Sequence, residues 1–160
     1  SLRMRLALFQ PDIPQNLGAA LRLGACLGVR IDVIEPCGFP FSDRDVRRAA
    51  MDYGQMAQVT RHASWTAFLD ERRGAPGRLL LFTTRAAQPF QAFGYRPDDI
   101  MLFGRESAGV PDDVHQAADA RLVIPLAPGA RSLNLTLSAA MALCEALRQT
   151  NGFPSPSGTG

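Results

Sequence analysis

The stretch "RLLLFTT" at 78–84 constrains this chain more than any other. Leu79, Leu80, Leu81 and Phe82 are apolar without interruption, so neither face of a strand here tolerates water. Such a strand belongs inside a mainly parallel sheet covered by helices on both faces. "RLALF" (5–9), "RIDVIE" (30–35), "DIMLFG" (99–104) and "ARLVIPL" (120–126) are further strand-like runs, and "QVTRH" (58–62) is a shorter one.

Helical patterns fall between these runs. "NLGAALRLGACLG" (16–28) sets Leu17, Ala20, Leu21, Gly24 and Leu27 at helical spacing behind Asn16, a good N-cap. "SDRDVRRAAM" (42–51) opens on Ser42 as cap, with acids in its first turn. "SWTAFLDERR" (64–73) is closed off by the Gly-Ala-Pro-Gly run at 74–77. "SLNLTLSAAMALCEALRQT" (132–150) is a long helix in which Ser132 is the natural cap. Its apolar stripe runs through Leu133, Leu137, Ala140, Met141, Cys144 and Leu147. The alternation defines one α/β domain over 1–151, and the Gly-, Pro- and Ser-rich tail at 152–160 is expected to be disordered.

Several function classes drop out. No run of 18 or more apolar residues occurs, which excludes an ordinary membrane-spanning helix. The first residues, "SLRMRLALFQPD", are too soon interrupted for a signal peptide, and Met4 is a candidate native start. Cys26, Cys37 and Cys144 have no C-x-x-C spacing and only His62 and His115 for company, so no metal site is expected. Buried, reduced thiols in a cytoplasmic protein are the plain reading. All 17 basic residues are arginine, yet a net charge of +2 neither demands nor excludes a nucleic acid.

"FGRESAG" (103–109) follows a strand-like run, and glycine-rich loops after strands hold ligands because a missing Cβ lets them approach the backbone. Gly104 and Gly109 fit the first half of a phosphate loop, but Val110-Pro111 replace the Lys-Ser/Thr that must follow. The next helix starts with Pro111 and carries Asp112 and Asp113 in its first turn, where they would repel a phosphate. No G-x-G-x-x-G follows the first strand, which disfavours a nucleotide-binding oxidoreductase. The loop suits a ligand without phosphate, or is a plain strand-to-helix turn.

Three stretches, "NLGAALR" (16–22), "FGRESAGVP" (103–111) and "IPLAPGARSLNLTLSAA" (124–140), resemble in order and spacing the signature motifs of the SPOUT RNA 2′-O-methyltransferases. The likeness runs from Arg5 to about Asn151, and the lack of any RNA-binding appendage is similar to the minimal subgroup acting on cytidine or uridine 34 of tRNA. "PDIPQN" (11–16) and "MDYGQ" (51–55) also resemble that subgroup, whereas Leu17 and Ala19 depart from its usual Asn-Thr-Gly-Asn.

The resemblance implies an α/β fold with a C-terminal trefoil knot and S-adenosylmethionine as cofactor. It implies methylation of the ribose 2′-hydroxyl of the wobble nucleotide, with leucine tRNA the expected substrate, bound at its anticodon region by a homodimer. Cofactor contacts carry over to Phe82, Thr83, Gly104, Ile124, Leu126, Ser132 and Leu133, and catalytic roles to Arg22, Asn16, Glu106, Ser132 and Asn134. The family makes the arginine matching Arg22 the base, but a guanidinium stays protonated above about pH 12, so it also suits a fixed charge facing a developing alkoxide. Apart from the resemblance, Arg22 reads as a solvated helix arginine, Asn16 as a bare cap and His115 as a surface residue. Glu106 needs a donor, with Arg22 or the ribose as candidates. Methylation of another tRNA or rRNA position, and a non-catalytic RNA-binding module on the same fold, remain the alternatives.

Overall fold

The computed structural model describes residues 3–52 and 58–156. Most of the "MDYGQ" likeness (residues 53–55) and the end of the tail (157–160) lie outside the described residues. Seven strands form one sheet in the order β3-β2-β1-β6-β4-β7-β5, every pair parallel. They are β1 (Arg5–Phe9), β2 (Arg30–Ile34), β3 (Val59–His62), β4 (Leu79–Phe82), β5 (Gln88–Pro89), β6 (Ile100–Phe103) and β7 (Ala120–Val123). The expected strands are all present. The two-residue β5, followed by a 3₁₀ turn at Phe90–Ala92, is an addition that the polar "QP" does not announce.

The period of two in each strand feeds two cores. Leu6 and Leu8 point to a face covered by α1 (Pro14–Leu27) and α5 (Leu135–Thr150), together with Leu80, Phe82, Met101 and Phe103. Ala7 and Phe9 point to the other, with Leu79, Leu81, Ile100 and Leu102 under Phe68 of α3 (Trp65–Arg73) and Val114 of α4 (Asp112–Ala117). The remaining helix, α2, spans Asp43–Asp52, and the backbone N–H of Asp45 reaches the Ser42 hydroxyl that was expected to cap it. α1 packs on β2 through Gly24, where an added Cβ would come within 2.6 Å of Ile31 Cδ1.

Three expectations at helix ends and one about a helix face are corrected. α1 starts at Pro14 with Ile13 at the cap position, so Asn16 lies inside the first turn, and its side chain is released for other contacts. α5 is capped by Asn134, whose Oδ1 accepts from the N–H groups of Thr136 and Leu137, and not by Ser132. Pro111 is the cap residue of α4 and not its first helical residue. The buried face of α5 is Ala139, Ala142, Leu143, Ala146 and Leu147, while Leu137 and Met141 are 58% and 41% exposed. A helix apolar on several sides gives no period sharp enough to choose its face, and the alanines win because they permit the closest approach. The cysteines are likewise not a buried set: Cys26 and Cys144 are exposed, and Cys37 is half-buried, its thiol pushed up to about 11 by burial and by Glu35.

Charges interlock around Arg5 and Arg30, the first residues of β1 and β2. Asp32 is fully buried and meets Arg30 Nη2 at 2.8 Å, His62 Nε2 at 2.7 Å and Arg5 Nη1 at 3.4 Å. Asp32, His62 and Glu71 lie close enough to share a cation, but Arg5 and Arg30 bridge Asp32 and Glu71 themselves. Arg78 forks onto buried Asp99 just before β6, at 2.9 and 2.8 Å.

Candidate active site

The opposite edge of the sheet is open. Beyond the carboxyl ends of β4, β6 and β7, two adjoining cavities of about 420 and 100 Å³ share Phe82, Thr83, Phe103, Ser132 and Leu133 in their walls. An open parallel sheet gathers ligands at this edge. The smaller cavity is apolar, with Ile124 and Leu126 on one side. Phe82 and Phe103 stack behind both cavities, with centroids 4.8 Å apart and planes 12° apart. Such a wall suits a flat aromatic group.

The larger cavity is polar at its mouth. Gly104 and Glu106 enter it from the loop after β6, Asn16 from the first turn of α1, and Ser132 and Asn134 from the segment before α5. At Gly104 an added Cβ would lie 2.6 Å from the Gly109 carbonyl carbon. The loop closes on itself there, with Arg105 N–H donating to Gly109 O at 3.0 Å and Gly109 N–H to Arg105 O at 2.8 Å. Gly109 turns at φ +62°, a conformation that favours glycine.

A chain of hydrogen bonds crosses the mouth. Asn134 Nδ2 donates to Asn16 Oδ1 at 2.9 Å, and Asn16 Nδ2 donates to Glu106 Oε1 at 3.2 Å. Thr136 Oγ1 donates to the Asn16 carbonyl at 3.0 Å, which ties α1 to α5. Glu106 thus finds its donors in Asn16 and in the Asp12 N–H, 3.4 Å from Oε2. Asp12 accepts in turn from Glu106 N–H at 3.3 Å and from the Ser107 hydroxyl. Burial, then the neighbouring Asp12 carboxyl, raises the Glu106 pKa above the ordinary carboxyl range. The contact with Glu106, aided by Ser107, holds Asp12 below it.

Every expected site residue but one therefore lines these cavities. The exception is Arg22, exposed on α1 and not among the lining residues. Asp12, Ser107, Thr84, Phe103 and Ser138 are additions. Phe103 was legible as the last residue of an apolar run, whereas a lone Asp in a Pro-rich turn carries no pattern of its own.

Residues 3–144 match the SpoU rRNA Methylase family, and the chain belongs to that family of methyltransferases. Within it, the chain is 60% identical over 148 residues to a tRNA (cytidine(34)-2′-O)-methyltransferase of Beijerinckia indica, covering 92% of each chain. It is similar to a solved structure described as giving structural insights into the 2-OH methylation of C/U34 on tRNA. There the TM-score is 0.81 and the identity 37%, over 92% of this chain and 95% of that one. An AdoMet-bound rRNA methyltransferase from Sinorhizobium meliloti matches with TM-score 0.79 and 28% identity, over 91% of this chain and 56% of that one.

Proposed function

We propose that this protein transfers the methyl group of S-adenosylmethionine to the ribose 2′-hydroxyl of the wobble nucleotide of tRNA, cytidine or modified uridine 34, with leucine tRNA its substrate in the cytoplasm. The observation that carries this reading is the convergence of three separated loops on one cleft that is aromatic and apolar at its base and polar at its mouth. The full-length likeness to the Beijerinckia indica enzyme supports the substrate, and the AdoMet-bound relative supports the cofactor.

The walls fit the cofactor's chemistry. Adenine suits the cavity of Phe82, Ile124, Leu126 and Leu133, where stacking and backbone contacts serve in place of charge. Acids at the mouth and in the first turn of α4 repel phosphate and favour a cationic sulfonium. When bound, the cofactor supplies an electrophilic methyl carbon, and the ribose oxygen that takes it must lose a proton. Asn16, Ser132 and Asn134 orient the ribose at the cleft mouth, and Glu106 holds Asn16 in place. Arg22 acts on the hydroxyl oxygen, either as a proton acceptor or as a fixed charge.

The chain works as a homodimer with the C-terminal segment threaded in a trefoil knot. α5 leaves Leu137, Met141 and Cys144 exposed, and α1, which packs against it, leaves Gly18, Ala19 and Arg22 exposed. Pairing these helices between two copies brings Arg22 toward the partner's cleft, which accounts for its place outside its own. The knot is supported by strand order: β7 enters the gap between β4 and β5, which the short 83–87 connection already joins.

Single-turnover methylation of unmodified tRNA, followed by nucleoside mapping, tests the reading. One new 2′-O-methyl at the wobble ribose is expected. Methylation elsewhere, or none, refutes it. Light scattering at micromolar concentration should give twice the chain mass, and a monomer mass refutes the dimer.

A further inference from the structure

We propose that Asp12 is a positioning residue for methyl transfer: it clasps Glu106 across two loops and so fixes the orientation in which Asn16 meets the cleft. The inference rests on the function proposed above. Its starting point is reciprocity. The backbone N–H of Asp12 reaches the Glu106 carboxyl at 3.4 Å, and the backbone N–H of Glu106 reaches the Asp12 carboxyl at 3.3 Å. Ser107 adds its hydroxyl to the second Asp12 oxygen. Two segments 94 positions apart in the chain are thereby locked in register by their own backbones.

Asp12 is itself held from behind. The N–H of Gly38 donates to the Pro11 carbonyl at 2.9 Å, and a Cβ on Gly38 would come within 2.7 Å of Asp12 Cβ. The aspartate therefore cannot retreat from the loop it grips. Glu106 passes this constraint on, because its Oε1 accepts from Asn16 Nδ2 and so leaves Asn16 Oδ1 for Asn134. A reversed Asn16 amide would face Glu106 with an oxygen and Asn134 with a second donor. Asp12 never needs to touch substrate to matter here.

The groups facing this pair are Asn16 from α1 and Ser107 from the loop itself. Arg105 is turned away, its Nε donating to Gly109 O at 3.1 Å and its guanidinium over the Phe9 ring. Two carboxyls this close favour a single negative charge between them. Burial and Asp12 raise Glu106 while the contact with Glu106 and Ser107 lowers Asp12, in keeping with two carboxyls in contact.

A double-mutant cycle on the full-length protein tests the clasp. Asp12→Ala should lower kcat on unmodified tRNA on the order of tenfold to a hundredfold, the scale of a small misplacement. S-adenosylhomocysteine affinity should hold within a few-fold. Asp12→Asn keeps an acceptor and a donor in place and should restore most of kcat. In an E106Q background, D12A should cost little further. An unchanged kcat in D12A, or the same loss on both backgrounds, overturns the proposal. The ¹³C-carboxyl titration of Glu106 needs no turnover: its midpoint should fall in D12N and D12A. A midpoint unmoved in both overturns the clasp, whereas a wild type that binds the cofactor but does not methylate tRNA overturns the functional reading alone.

Discussion

Asp32 and Glu106 are both carboxyl groups withdrawn from water, near opposite ends of one parallel sheet. Asp32 is compensated by Arg5, Arg30 and His62, each within 3.4 Å of its carboxyl oxygens. Glu106 is held by an amide, a backbone N–H and the neighbourhood of a second carboxyl. The first arrangement answers a buried anion with cations of the same fold. The second carries incompletely matched groups at the mouth of a cleft, the condition that pushes pKa values apart at working sites. Ion pairs also tie the carboxyl ends of β2 and β3, where Arg61 forks onto Glu35. The contrast therefore holds between Asp32 and the cleft, and not between all starts and all ends of the strands.

The sharpest way to break this comparison is at Asp32. Asp32→Ala leaves Arg5 and His62 buried against a missing anion, and should cost about 3–5 kcal/mol in urea unfolding. S-adenosylhomocysteine affinity of the folded protein should be unaffected. A loss of affinity with little loss of stability would erase the division between the two ends.

Arg22→Ala should do the reverse. Single-turnover methylation should fall at least about a hundredfold, the scale for a positioned proton acceptor or charge stabiliser, with stability and cofactor affinity nearly intact. Arg22→Lys sharpens it further, since a fixed charge tolerates lysine and a base does not. Gly104→Ala should affect both properties. The added methyl meets Gly109 backbone at 2.6 Å, so about 1–3 kcal/mol of stability should be lost by thermal or chemical unfolding, along with cofactor affinity by calorimetry.

The smallest effect is a pH dependence. Because the folded-state pKa of Glu106 is raised, its contribution is present below the ordinary Glu pKa of 4.5 and declines as pH rises through the folded value. That of Asp12, lowered, is present above 3.8 and lost as pH falls. Glu106→Gln should therefore flatten the decline above pH 4.5 in a stability-versus-pH series. An unaltered decline would place its origin elsewhere.

The strands were legible because apolar runs admit few alternatives, and the fold class followed from Leu79–Phe82 and its neighbours. Helix existence was legible as well, but helix ends were not. Pro14 marked the true start of α1, yet Asn16 competed as a cap, and between Ser132 and Asn134 both side chains suit the position. The face of α5 was misread because Leu137 and Met141 share the helical period with residues that are buried. In the site, the three motifs supplied Asn16, Glu106, Ser132 and Asn134, whereas Asp12 emerged only when folding set two distant turns side by side. Long-range pairing of polar loop residues leaves no trace in local sequence.

The place of β7 between β4 and β5 also governs how the protein can be made. As the chain leaves the ribosome, β1, β2 and β3 find one another at once, but β4 emerges with neither neighbour, since β6 and β7 are still unsynthesised. Until they arrive, Leu79–Phe82 is an apolar strand with two open edges, able to pair with any extended chain nearby. The cleft walls come from 13–16, 81–84, 103–110 and 123–138, so no fragment ending before α5 can enclose a cofactor. A premature stop there yields a hazard for the cell's quality control in place of a weakened enzyme.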